Sequence, residues 1–171
     1  LPIQQRMDLM VDADASFTQL HNSYIVVPTN RGFILVNQQL AHERILYERF
    51  TASAQGKKIA AQQSLFPVTL TLSTADAVLL EELRPDLNDL GYLVEPFGPG
   101  SFVIQGTPAD LAPGYEKQTI ENLLEQYKHF SSELKFSRRE KITRSLALQQ
   151  SVKAGTSLGQ KEMQSLVEEL F

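Results

Sequence analysis

The 171-residue sequence contains no cysteine, which excludes a disulfide framework and any metal site built on thiolates. It also lacks an apolar run near the roughly 18 to 20 residues that a membrane-spanning helix needs. No basic-then-apolar signal peptide opens it. The formal net charge is −4, which argues against tight, sequence-blind DNA binding by this chain alone, because such binding depends on neutralising phosphates. These absences predict a cytoplasmic location and no membrane partner.

What is present suits a folded chain. Hydrophobic residues make up 42% of the sequence, enough for a packed interior, and charged residues make up 21%. The length fits one domain, or two small lobes that share a core. The first residue is Leu1 rather than Met, which suggests a piece of a longer protein.

The first structured block is predicted to be a β-hairpin followed by a helix. Two runs rich in β-forming residues, 21–27 and 32–36, flank the turn signal at 28–31. Their near-continuous apolar character favours a sheet covered on both faces. From Leu40 to about Ala54 the apolar residues recur at helical spacing.

The second block is predicted to be β-α-β-β. Residues 64–72 alternate as a strand does. Ser73 can cap a helix, with Asp76 three residues on as a weaker partner, and Gly91 suits the position after the helix end. Residues 92–96 and 101–106 then form a hairpin around a turn rich in glycine and proline.

Three helical segments, 117–133, 137–154 and 160–171, close the chain. The order predicts an α+β fold of two lobes. A strand-hairpin and helix lobe would take 17–60 and 117–171, a smaller inserted β-α-β-β lobe would take 61–116, and 1–16 would be a linker.

The junction between hairpin and helix carries a family resemblance. It reads Ile-Leu-Val-Asn-Gln-Gln-Leu-Ala-His-Glu-Arg-Ile-Leu-Tyr-Glu over 34–48. Together with 22–26, 151–155 and 162–171, it resembles the C-terminal domain of MutL, a DNA mismatch repair protein. The resemblance implies a domain that dimerises the repair protein. It also implies a separate N-terminal ATPase that binds ATP, other mismatch repair proteins as partners, and weak DNA contact through the full-length dimer.

Many members of that family also nick DNA with a motif of Asp-Gln-His-Ala, two residues, Glu, four residues, Glu. A His and a Glu four apart share a helix face and can hold a divalent metal. Here the positions that carry these ligands are Asn37, Gln39, Glu43 and Glu48. A neutral amide oxygen is a poor substitute for carboxylate or imidazole on a transition metal. The cysteine of a second family motif is replaced by Leu148.

The resemblance therefore implies no confident metal ligand and no cofactor in this chain. Glu43 is the remaining metal candidate, and Mn²⁺ or Zn²⁺ enters only if the endonuclease alternative holds. Glu43 and Glu48 lie about 140° apart on a helix, so they do not readily share an ion, and Glu48 can pair with Arg44. The three histidines are predicted to be surface or capping residues: His21, His42 and His129.

A second motif, Gln-Gln-Ser-Leu-Phe at 62–66, resembles the peptide with which bacterial repair proteins dock on the sliding clamp. In that interpretation Gln62 forms hydrogen bonds, and Leu65 and Phe66 enter an apolar pocket. The alternative is that both apolar side chains face the core. Pro67 favours an edge strand, which would keep the peptide accessible.

A basic run carries Lys135, Arg138, Arg139, Lys141 and Arg144, which either contact phosphates or form a solvated helix face. The favoured function is a homodimerising mismatch repair scaffold with a possible clamp-docking peptide. The alternatives are a metal-dependent DNA-nicking endonuclease, and an unrelated protein-binding module.

Overall fold

The computed structural model describes residues 16–53, 55–109, 111, 114–130 and 136–171. Apart from Ser16, the predicted linker lies outside these residues. The described part contains five helices and two three-stranded antiparallel sheets, so the fold is α+β as predicted. The contacts within the chain define two compact units. Unit 1 takes the described residues up to Leu46 together with Ser151–Phe171, and unit 2 takes Tyr47–Gln150.

The sheet of unit 1 has the order β1 (Thr18–Leu20), β2 (Tyr24–Thr29), β3 (Gly32–Asn37). The predicted hairpin is confirmed: β2 and β3 pair from Tyr24 opposite Asn37 to Thr29 opposite Gly32. Strand β1 was not predicted. It reaches β2 through a turn of three residues, 21–23, in which His21 and Asn22 have φ of 51° and 48°, the left-handed region in which Asn and His are enriched.

Two helices complete unit 1: the first part of α1 (Gln38–Ser53) and α5 (Gln160–Leu170). Their apolar residues and the inner face of the sheet form one core, whose buried members are Phe17, Ile25, Val27, Val36, Ala41, Ile45, Met163, Leu166 and Val167. The described residues cover this inner face. They do not supply the predicted cover on the second face, where large apolar side chains are exposed.

The sheet of unit 2 has the order β4 (Ala61–Thr71), β6 (Ser101–Pro108), β5 (Leu93–Pro96), all antiparallel neighbours. Strand β4 therefore lies at an edge, as Pro67 predicted. The pairing of β4 with β6 shifts register between Gln63 and Val68. The residues between these two positions leave the regular ladder.

Three helices pack in unit 2: α2 (Thr74–Asp89), α3 (Glu116–His129) and α4 (Arg138–Gln150). The predicted start of α2 is confirmed, since the Ser73 hydroxyl accepts the Asp76 N–H at 3.2 Å. Gly91 follows the helix with φ of 92°. The buried apolar residues of these helices are Leu80, Leu83, Leu87, Ile120, Leu123, Leu124, Ile142, Leu146 and Ala147.

The sequence-based division had grouped the segments of α3 and α4 with the first lobe. In the structure α3 packs on β4, β6, α2 and α4 within unit 2. These helices are amphipathic, and periodicity alone does not say which sheet an apolar face will meet. None of the helices in the described part of the chain combines the length and apolar content that crossing a bilayer requires.

Candidate functional site

The junction that corresponds to the metal-binding motif of the resembled family is a helix start. Strand β3 ends at Asn37, whose side-chain oxygen accepts the N–H of Leu40 at 3.0 Å. This is the bond by which an asparagine caps the first turn of a helix. The residue at the family's aspartate position therefore has a structural role here.

Gln38 is fully buried at the same junction. Its Nε2 donates to the carbonyl oxygens of Asn22 and Lys153, each at 2.9 Å, and of Thr156 at 3.1 Å. Its Oε1 accepts from Nε2 of Gln19 at 2.6 Å. These bonds join three stretches of unit 1 and satisfy the buried Gln38 amide, which would be costly to leave unpaired.

The next residues of α1 form hydrogen bonds with the backbone of the segment that follows unit 2 in the chain. Gln39 Oε1 accepts the N–H of Ala154 at 3.2 Å, and Nδ1 of His42 accepts the N–H of Val152 at 2.9 Å. His42 is therefore a capping histidine, as predicted. The residue at the family's histidine position uses its only acceptor oxygen on backbone, which leaves it a poor metal donor.

The donor set around Glu43 does not fit a transition-metal ion. Burial lowers the pKa of the Lys153 ammonium, and the charge of Glu43 partly offsets this effect. Glu43 therefore faces a cation of its own chain. Glu48 lies five residues along the helix and is exposed. In the described part of the chain, no three side chains of His, Asp or Glu are grouped as metal ligands would be.

The position of the family's second-motif cysteine, Leu148, is 41% exposed on α4. It offers only hydrocarbon. Amide oxygens already engaged, one carboxylate beside a lysine and a leucine are not the hard or borderline ligand set of a catalytic metal site.

The segment Gln62–Phe66 is exposed at the edge of unit 2. Leu65 is 91% exposed and Phe66 84%, so the alternative that these two side chains face the core is wrong. Both lie within the register shift, between Gln63 and Val68, where β4 departs from regular pairing with β6. Gln62 Nε2 donates to the Leu111 carbonyl at 3.0 Å, which anchors one end of the segment. We name these five residues the docking segment.

Gly106 on β6 explains why the strands can come together beside the docking segment. A Cβ atom there would lie 2.7 Å from the carbonyl oxygen of Gln62 and 2.9 Å from Cδ1 of Leu93. Such distances are shorter than van der Waals contact allows, so only glycine fits between β4 and β5 at this point.

The basic run on α4 is largely neutralised within unit 2. Arg138 and Arg139 pair with Asp86 at 2.8 and 3.4 Å. Arg144 pairs with Glu140 at 2.9 Å and lies over the rings of Tyr47 and Phe136. Lys141 lies over the ring of Tyr127, whereas Lys135 lies outside the described residues. These contacts favour a structural role over phosphate binding.

The second face of the unit 1 sheet is apolar and open in the described part of the chain, where the sequence predicts a covered face. Phe33 is 68% exposed, Leu35 48%, Leu20 45% and Tyr24 37%. The strand register places these four on one face with Val26 and Pro28. We name this set the outer face. Alternation of apolar and polar residues along β3 would have been the signal in the sequence, but the residues from Phe33 to Val36 are all apolar.

An α+β chain with a contiguous exposed apolar sheet face belongs, by these features, with proteins that associate through a sheet. Comparison with known proteins defines the family. Residues 17–158 match the model of the MutL C-terminal dimerisation domain, and the chain belongs to that family. This membership excludes the alternative of an unrelated binding module.

Individual relatives agree. The DNA mismatch repair protein MutL of Chloroherpeton thalassium is 37% identical over 153 residues, 90% of this chain and 24% of the relative. That of Chlorobium phaeobacteroides is 36% identical over 158 residues, 92% of this chain and 25% of the relative. That of Chlorobium phaeovibrioides is 33% identical over 159 residues, 93% and 26%. The chain spans about a quarter of the length of these relatives.

Proposed function

We propose that this chain is the self-association module of a MutL-type protein and acts as a homodimeric scaffold in DNA mismatch repair. The observation that carries the proposal is the outer face. Large apolar side chains rarely form a contiguous exposed set on a monomer unless they bind something. The family to which the chain belongs is described as a dimerisation domain, which supports a second copy of the chain as the occupant.

The outer face has the composition of an obligate interface. Phe33, Leu35 and Tyr24 are large and apolar, and no charged residue stands among the six members of the set. Aromatic residues are enriched, and charges depleted, at the centre of such interfaces. A two-fold axis through the face would place the same residues of both copies against one another.

The solution mass tests the proposal. A stable homodimer should bury upwards of roughly 1,200 Å² in total. Light scattering at micromolar concentration should give twice the chain mass of 19.2 kDa. A single-chain mass that persists as the concentration is raised to the millimolar range would contradict it.

The role of the dimer follows from the relatives, which are DNA mismatch repair proteins several times longer than this chain. The resemblance to MutL implies that the remainder includes an ATPase domain. Dimerisation here would hold two such domains at high effective concentration. We place ATP binding, contact with other repair proteins and most DNA contact in that remainder.

A second function is supported by the docking segment, which we propose binds the sliding clamp. Leu65 and Phe66 are almost fully exposed, and Gln62 is anchored at the other end. An exposed leucine–phenylalanine pair on an edge strand is ready to enter a pocket without unfolding its own domain. A short segment of this kind should bind with a Kd on the order of micromolar.

Clamp binding is tested by titrating the purified chain into the clamp in a calorimeter. Replacing Leu65 and Phe66 by alanine should abolish the heat of binding, and the matched control Phe97→Ala should not. Phe97 is 66% exposed and lies in the same unit. Binding that survives the loss of Leu65 and Phe66 would overturn the assignment.

A further inference from the structure

A cavity of about 290 Å³ opens beside the docking segment. The docking segment forms one side, and Thr107 on β6 and Glu116 at the start of α3 form the other. Thr107 and Glu116 also line a second cavity of about 200 Å³, whose wall includes Tyr92. Glu116 therefore stands where the two cavities meet.

Glu116 is a buried acid with few partners. Its residue exposure is 9%, and one oxygen accepts the N–H of Gly114 at 2.9 Å. In the described part of the chain no lysine, arginine or histidine pairs with it. A carboxylate offers about four acceptor positions, so Glu116 can accept further donors.

The position of Glu116 in the first turn of α3 accounts for part of its stability. The helix dipole favours a negative charge at this position. A carboxylate withdrawn from water is further stabilised by a counter-charge beside it. The charge also acts on its neighbour: burial first, and then the charge of Glu116, raise the pKa of Tyr92.

We propose that the cavity beside the docking segment receives a basic side chain of the bound protein, with the Glu116 carboxylate as its counter-charge. The inference rests on the proposed docking function and names the chemistry of the partner. Leu65 and Phe66 belong to the wall of this cavity, so a protein that covers them also contacts that wall. The aliphatic stem of a lysine or arginine can follow that wall while its head reaches the carboxylate.

A small cation tests the site without any partner. Ethylguanidinium is titrated into the ¹⁵N-labelled chain, and sodium chloride at equal ionic strength is the reference. Saturable amide shifts are expected at Gly114 and Thr107. They should be lost in Glu116→Gln, whose amide oxygen can still accept the Gly114 N–H. They should persist in the control Glu82→Gln, which removes an exposed acid of the same unit.

Melting curves check that Glu116→Gln remains folded, and Glu116→Asp offers a second variant that keeps the charge but shortens its reach. Ethylguanidinium shifts that do not saturate, or that saturate equally in Glu116→Gln, would overturn the proposal.

The clamp supplies the second arm. If the parent chain binds the clamp, Glu116→Gln should lower the affinity about fivefold to tenfold, because it removes one charge of a half-buried pair. It should also reduce the decrease in affinity that added salt causes. Clamp binding unchanged by Glu116→Gln overturns the inference. A parent chain that binds ethylguanidinium at Glu116 but not the clamp would instead refute clamp docking and leave the cation site standing.

Discussion

The two sheets of this molecule expose apolar residues in different ways. Unit 1 exposes one whole face of three strands, centred on Phe33 and Leu35. Unit 2 packs helices on its sheet, and the exposed large apolar side chains among its described strand residues are Leu65 and Phe66, at a shift in the edge strand. A broad face can bury enough area for a permanent dimer, whereas two side chains support weak, reversible docking. We therefore propose two kinds of contact for the same residue types.

The largest effect should come from charging the outer face. We expect Phe33→Lys with Leu35→Lys to convert the dimer to monomer, because two ammonium groups per chain would be buried without partners. The dissociation constant should rise more than about a hundredfold, since central apolar residues contribute roughly 2 kcal/mol each. Light scattering measures this. Phe97→Lys, which charges a similarly exposed phenylalanine outside the outer face, is the control and should stay dimeric. A double variant at Phe33 and Leu35 that stays dimeric would show that the interface lies elsewhere.

The next comparison stays on a single strand. Leu70 and Leu65 both lie on β4, but Leu70 is fully buried and Leu65 is 91% exposed. Leu70→Ala should lower the free energy of unfolding by about 2 to 5 kcal/mol. Leu65→Ala should change it by less than about 0.5 kcal/mol. Urea unfolding followed by circular dichroism gives both values, and equal losses would mean that the docking segment is packed.

A smaller loss is expected at Gln38. Replacing it by alanine leaves the carbonyls of Asn22, Lys153 and Thr156 without its donor group. We expect the free energy of unfolding to fall by about 2 to 3 kcal/mol. Gln63, a glutamine on the edge strand β4, is the control, and Gln63→Ala should cost well under 1 kcal/mol. Similar costs at both positions would show that the Gln38 bonds add little net stability.

The helix cap gives a graded test of the junction. Asn37→Ala should lower the free energy of unfolding by about 1 kcal/mol, because the Leu40 N–H loses its acceptor. Asn37→Asp should restore it, since aspartate caps as well as asparagine does. Thermal melting distinguishes the two. A large loss with aspartate would show that the amide group itself is required.

The smallest expected effect is at the nuclease motif. Supercoiled plasmid incubated with the chain and Mn²⁺ should remain closed, because Asn37 and Gln39 offer engaged amide oxygens rather than a carboxylate and an imidazole. Gel electrophoresis measures the nicked fraction. Nicking above background that disappears in Glu43→Ala would restore the endonuclease alternative.

Local signals in the sequence predicted much of the fold. The helix cap at Ser73, the glycine after α2 and the proline on the edge strand each act through their own neighbours. Strand β1 was missed because three residues are too few to show alternation. The Gln38 contacts were also missed, since two of its partners, Lys153 and Thr156, lie more than a hundred residues along the chain. Glu116 was missed because burial of one acid has no pattern in sequence.

The hydrogen bonds between the start of α1 and the backbone after α4 have a consequence for the order of folding. Unit 2 is one continuous segment, so its strands and helices are all available once Gln150 has been synthesised. Unit 1 needs both flanks of that segment, because Gln38, Gln39 and His42 bind backbone between Val152 and Thr156. Closing a loop of about a hundred residues is entropically costly, and folding unit 2 first shortens it. We therefore expect the inserted unit to fold on the ribosome before unit 1 completes its core, because Met163, Leu166 and Val167 of that core follow unit 2 in the chain.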